Sequence, residues 1–122
     1  AISERYFAAL AARDVSDVPW HPDVELRGPL CPQGSEAPIV GRNAVVEWFT
    51  SIYPVLGPTT VLEHYFHPGL TSIATRADVT ITEPPCVLRV IDRFRIDSEG
   101  LILEQENHYD PRAAIPGSGE DA

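Results

Sequence analysis

Up to Pro58 the apolar positions of this chain recur mainly at helical spacing; beyond it they recur every second residue. Ile2, Tyr6, Ala9 and Leu10 share one face of a helix predicted over 2–12. A short second helix or a turn follows Asp14 and ends at Pro19. "DVELRG" (23–28) reads as a short strand, and 29–40, holding Pro29, Pro32, Gly34 and Pro38, as a loop. "GRNAVVEWFTSIYPVL" is the next helix, with Val45, Trp48, Phe49 and Ile52 as its stripe and Pro54 near its end. "TTVLEHYFH", "LTSIATRADVTI", "CVLRVIDRFRI" and "LILEQENHYD" are then four strands parted by turn residues. Helices followed by a meander predict an α+β fold. A curved antiparallel sheet wraps the N-terminal helices into a cone whose mouth holds one small ligand. One domain over 1–114 is expected, with a disordered tail over 115–122.

The strand "VLRVIDRFRI" carries the main chemical anomaly. Leu88, Val90, Asp92, Phe94 and Ile96 share one face; Arg89, Ile91, Arg93 and Arg95 share the other. The arginine face is the wet one, so Asp92 points inward. A buried carboxylate costs several kcal/mol unless it is paired, hydrogen-bonded or protonated. No Lys or Arg stands on its face, so desolvation favours the neutral acid, which can donate a hydrogen bond. A second pair, Arg76 and Asp78 in "ATRADVTI", shares a face two residues apart.

Composition narrows the function. With 43% apolar residues, 122 residues suit one core. A net charge of −9 argues against nucleic acid and anionic membranes as partners. No apolar run approaches the roughly 20 residues that span a bilayer. No signal peptide is visible, and a cytoplasmic location is the default expectation. Cys31 and Cys86 lie far apart and read as reduced thiols, with one disulfide as the alternative. His21, His64, His67 and His108 form no metal-binding spacing, and no Gly-rich phosphate loop exists. Neither metal nor cofactor is therefore expected.

Three stretches, "RYFAALAARD", "GRNAVVEWF" and "VIDRFRIDSEG", resemble ketosteroid isomerase-like members of the nuclear transport factor 2-like superfamily. SnoaL-like polyketide cyclases and limonene epoxide hydrolases share that fold, and the resemblance covers about 3–112. It implies that Tyr6 matches the catalytic tyrosine and Asp92 the oxyanion-hole aspartic acid, kept neutral by an apolar site. The catalytic base of the isomerases matches Gly28, before Pro29, and glycine accepts no proton. Glu25 points to the opposite strand face, and Glu36, in the longer loop "LCPQGSEAP", would have to fold back to replace the base. Arg76 and Asp78 match the Arg-x-Asp of limonene epoxide hydrolases, whose second aspartate matches Asn107 and whose water-holding tyrosine and asparagine match Leu26 and Gly28. On the last strand Leu103, Gln105, Asn107 and Tyr109 share a face that the resemblance turns inward.

The reading that follows is a cofactor-independent acid/base enzyme, an isomerase or cyclase, acting on a small, largely apolar, oxygen-bearing substrate. Tyr6 and Asp92 stabilise the oxygen as charge develops. Asp78, oriented by Arg76, is the second acid or base. Val90, Phe94, Phe49, Gln105, Asn107 and Tyr109 bind the substrate. Two rivals remain: an epoxide-opening hydrolase or cyclase, and a non-catalytic ligand-binding module. The resemblance alone implies a homodimer.

Overall fold

Helix α1 (Ile2–Ala11) buries Ser3, Tyr6, Phe7 and Leu10 along one stripe, as its spacing predicts. The computed structural model describes residues 2–67, 69 and 71–114, with all their side chains except that of Ala113. The expected disordered tail, 115–122, lies outside the described residues. The helix stops where Arg13 adopts a left-handed φ of 55°, and the Arg13 guanidinium then donates to the carbonyls of Tyr53 and Leu56. The stretch after Asp14 is a turn: the Asp14 carboxylate accepts from the Ser16 amide at 3.2 Å and from its hydroxyl at 2.6 Å. Helix α2 (Arg42–Ile52) buries Val45 and Phe49 and half-buries Trp48 and Ile52, then tightens into a 3₁₀ turn over Tyr53–Val55.

The strands are β1 (Trp20–Arg27), β2 (Ile39–Val40), β3 (Leu56–Phe66), β4 (Ser72–Thr82), β5 (Pro85–Ile96) and β6 (Ile102–His108). They form one sheet in the order β2-β1-β6-β5-β4-β3. The expected antiparallel meander is β3 to β6, and β1, which lies outside it, joins β6 in parallel. β1 is also longer than predicted: Trp20 already pairs with Ile102, and the irregularity between Trp20 and Glu25, around His21 and Pro22, hides the strand pattern. β3 begins ahead of Pro58, which an edge strand tolerates because its N–H side need not pair. Gly100, at φ 84°, closes the β5–β6 turn, where Asp97 Oδ1 accepts from the amides of Glu99 and Leu101.

Register irregularities in β3, and between β5 and β6, accompany the curvature of the sheet. Between β5 and β6, Arg95 pairs with Glu104 and Ile96 with Ile102, which leaves Leu103 as the extra residue. Ile102, not Leu103, is therefore the buried residue at that end, a correction to the expected inward set. Both helices pack on the inner face. Trp20 stacks on Phe49 at 5.4 Å, and Tyr6 meets Phe7, Phe49 and Phe94 edge-on at 4.8, 5.6 and 5.4 Å. Cys31 and Cys86 are free thiols. Among the described residues, no helix is long and apolar enough to cross a membrane.

Candidate functional site

Between the helices and the inner face lies a cavity of about 130 Å³. Leu10, Phe49, Val79, Ile81, Leu88 and Val90 make its walls mostly aliphatic and aromatic. Tyr6, Asp92, Asn107 and Tyr109 also line it, and the exposed Glu83 belongs to its lining where β4 turns toward β5.

Asp92 sits where alternation predicts, 3% exposed between Val90 and Phe94. Its Oδ1 is buried without a hydrogen-bond partner among the described residues. Burial holds its pKa well above the usual carboxylate range, which favours the neutral acid, the form able to donate. Tyr6 is 2% exposed, and burial first, then the Asp92 charge, push its phenol up as well. Burial thus favours the protonated form of both groups.

A chain of amides fixes the rest of the polar geometry. Trp20 Nε1–H can only donate, and it donates to Gln105 Oε1 at 3.0 Å. Gln105 Nε2 therefore faces the other way and donates to Asn107 Oδ1 at 3.1 Å. Gln105 also hydrogen-bonds Tyr6. Asn107 is left presenting its NH₂ group, another donor. A Cβ built on Gly28 would lie 3.6 Å from Asn107 Cβ and 3.9 Å from Asn107 Nδ2, so position 28 does face this site. The same Cβ would lie 3.3 Å from Cys31 Sγ: the thiol fills the ground where a side chain at 28 would project. Burial raises the Cys31 thiol to about 11, so it is no base at neutral pH. Glu36 is exposed and lies outside the lining, so it does not fold back to replace the base. Glu25 faces away, 3.9 Å from Arg27.

The structure separates the other predicted residues. Phe49, Val90, Asn107 and Tyr109 line the cavity with Tyr6 and Asp92. Phe94 and Gln105 do not line it; they back Tyr6, one by ring contact and one by hydrogen bond. Arg76 and Asp78 are corrected outright. Thr75, Ala77, Val79 and Ile81 are the buried alternates of β4, which puts Arg76 and Asp78 on the outer face, away from Asp92. The more apolar composition of the Ala77-Val79-Ile81 set was the sequence signal for this. Sequence reasoning missed Glu83, Trp48 and Cys31 in the lining, and nothing in it placed Thr75 2.8 Å from His64.

Charge sharpens the site further. The chain's nine basic residues are all arginines. Among the described residues none lines the cavity, and neither does any histidine. Arg5, Arg27 and Arg42 donate to loop carbonyls, and Arg93, Arg95 and Arg112 face carboxylates. Among the described residues no three His, Cys, Asp or Glu side chains meet in a metal-type group.

The fold and the sequence agree on the wider relationship. No curated protein matches the chain. A steroid delta-isomerase from Pseudomonas aeruginosa superposes with a TM-score of 0.75 at 22% identity, covering 98% of this chain and 85% of that one. A computationally designed 17-OHP binder gives 0.75 at 23% identity, covering 89% and 90%. An epoxide hydrolase/cyclase-like enzyme of pyran ring formation in the polyether salinomycin gives 0.76 at 16%, covering 89% and 88%. At these identities the likeness speaks for the nuclear transport factor 2-like fold alone. The family model of the SnoaL-like domain matches residues 3–105, and the chain belongs to that family.

Proposed function

We propose that the cavity is the active site of a cofactor-independent isomerase or cyclase acting on a small, uncharged compound through a carbonyl, enol or phenol oxygen. One observation carries the reading: two buried donors, the Tyr6 hydroxyl and the neutral Asp92, open onto one apolar cavity. As negative charge grows on the substrate oxygen, both donate to it, each worth about 10²–10³ in rate. The Asn107 NH₂ is a third donor. No lining cation would repay the desolvation of a substrate carboxylate or phosphate, so an uncharged substrate fits best. The volume resembles the roughly 150 Å³ apolar cavity that holds benzene, which fits a single ring better than an enclosed four-ring steroid.

Proton removal is the weaker half of the site, because glycine stands at position 28. That observation favours a second reading, a ligand-binding module without turnover, and a designed binder on this fold is named for that role. Epoxide opening through Asp78 drops out, since Asp78 does not line the cavity.

Fluorescence titration with 2-naphthol tests the pocket. Binding should weaken at least tenfold in Tyr6→Phe and in Asp92→Ala, about 1.4 kcal/mol or more for a donor to a charged oxygen. Absence of naphthol binding in the native protein overturns the oxygen-binding site. Turnover of a one-ring β,γ-unsaturated ketone, followed by the absorbance of its conjugated product, separates enzyme from binding module.

A further inference from the structure

Four residues stand in one row across the inner face: His64 on β3, Thr75 on β4, Asp92 on β5 and Asn107 on β6, each the register partner of the next. Thr75 is fully buried, and its Oγ1 lies 2.8 Å from His64 Nδ1. Ser3 Oγ, from α1, lies 3.2 Å from the same nitrogen. The other ring nitrogen, Nε2, faces Glu4 Oε1 at 3.7 Å. A proton on Nε2 toward the Glu4 carboxylate leaves Nδ1 as acceptor, so both hydroxyls donate to it. The lone pairs of Thr75 Oγ1 are then open toward Asp92. Residues directly opposed on one sheet face hold their Cβ atoms about 4.5–5.5 Å apart, so one side-chain rotation brings the orphaned Asp92 carboxyl onto that hydroxyl.

We propose that Thr75 and His64 form a proton relay that unloads and reloads Asp92 along the inner face, from the β3 edge beyond the ligand cavity. The inference rests on the reading of Asp92 as the acid of the pocket. The carboxyl proton of Asp92 passes to Thr75 Oγ1 while the Thr75 hydroxyl proton passes to His64 Nδ1. Asp92 becomes a carboxylate and His64 an imidazolium with protons on both nitrogens, facing the Glu4 carboxylate. The reverse transfer restores the acid. A ligand that fills the cavity closes the direct route from Asp92 to water, whereas the half-buried His64 keeps its contact with solvent. Reloaded in this way, Asp92 regains the proton it donates toward the ligand oxygen while the cavity stays filled.

The groups around the relay agree with it. His64 faces Ser3 and Glu4 from α1, Thr75 from β4 and the Phe66 ring on its own strand. Asp92 faces Tyr6 from α1 and Asn107 from β6, with Tyr109 and Cys31 lining the same cavity. None of these neighbours is a cation. Thr75 and His64 are positioning residues here, since neither lines the cavity.

The test is the exchange of the Asp92 carboxyl proton with water, read by NMR from the hydrogen/deuterium isotope effect on its carboxyl carbon in the full chain. With 2-naphthol filling the cavity, exchange should slow at least tenfold in Thr75→Val, which keeps the shape and removes the hydroxyl. His64→Gln should slow it similarly, and Thr75→Ser should restore it. Native-like exchange in Thr75→Val overturns the relay. If Thr75→Val does not fold, His64→Gln decides on the same criterion. If naphthol does not bind, the proposed function fails, and exchange with benzene filling the apolar cavity still judges the relay, with the same slowing expected.

Discussion

On the outer face of β5, Arg93 lies 3.7 Å from Glu106 and Arg95 lies 3.9 Å from Glu104. On the inner face, Asp92, the residue just before Arg93, points into the core with Oδ1 unpartnered among the described residues. The outer pairs are partly exposed, and such pairs contribute about 0–1 kcal/mol each. The inner acid has the opposite sign: burying it costs stability even when it is neutral, because a donor and an acceptor are left unmatched. One strand thus carries inexpensive charge on one side and an unmatched acid on the other. Of the buried acid oxygens without a partner among the described residues, that of Asp92 belongs to a residue lining the cavity, where a ligand oxygen would complete it.

Adding a second acid to the inner side is the sharpest test. Gly28→Asp should raise turnover of an enolisable ketone by as much as about 10²–10⁴, the share of one general base. The Cys31 sulfur, 3.3 Å from the new Cβ, has to give way, so Gly28→Asp with Cys31→Ala should exceed the single variant. Product absorbance would follow both; no gain in either would mean that position 28 does not reach the reacting carbon.

Stability should separate the two faces almost as strongly. Val90→Asp adds an acid beside the cavity and should cost about 3 kcal/mol or more, while Ile91→Asp, one residue on and 45% exposed, should stay within about 0.5 kcal/mol. Urea unfolding at pH 7 measures both, and equal losses would break the comparison.

The pH dependence follows from the raised Asp92 pKa. A group whose folded pKa lies above its unfolded value stabilises most below the unfolded value, about 3.9 for Asp. That contribution falls as pH rises toward the folded pKa, by up to about 1.4 kcal/mol per pH unit. Asp92→Asn removes the slope, so the variant should gain on the native protein as pH rises from 4. Unfolding free energies with parallel pH profiles would show a carboxylate that is solvated in the fold. The smallest effect belongs outside: Glu106→Gln should cost at most about 1 kcal/mol, and less in 1 M salt, where screening acts within about 3 Å. A larger loss, unchanged by salt, would place Glu106 in a desolvated network.

The inward aim of Asp92 was legible because alternation along an extended strand is a local property that tertiary contacts do not alter. The helix stripes, with Tyr6 buried and Val45 and Phe49 beside it, were legible for the same reason. So was the missing base, since glycine has no side chain in any fold. Alternation does not say which of two faces is covered, however. The packing of α1 and α2 on one side of β4 turned Arg76 and Asp78 outward and took them from the site.

Register between distant strands was equally out of reach. The parallel pairing of β1 with β6 and the extra residue at Leu103 depend on how the sheet curves as a whole. The sequence alone determined which side chains share a face and that one face hides an acid without a cation. Only the tertiary structure set His64, Thr75, Asp92 and Asn107 in one row, brought Glu83 and Cys31 to the cavity, and aimed the Gln105 amide. Each of these depends on contacts between residues far apart in sequence, which local periodicity does not encode.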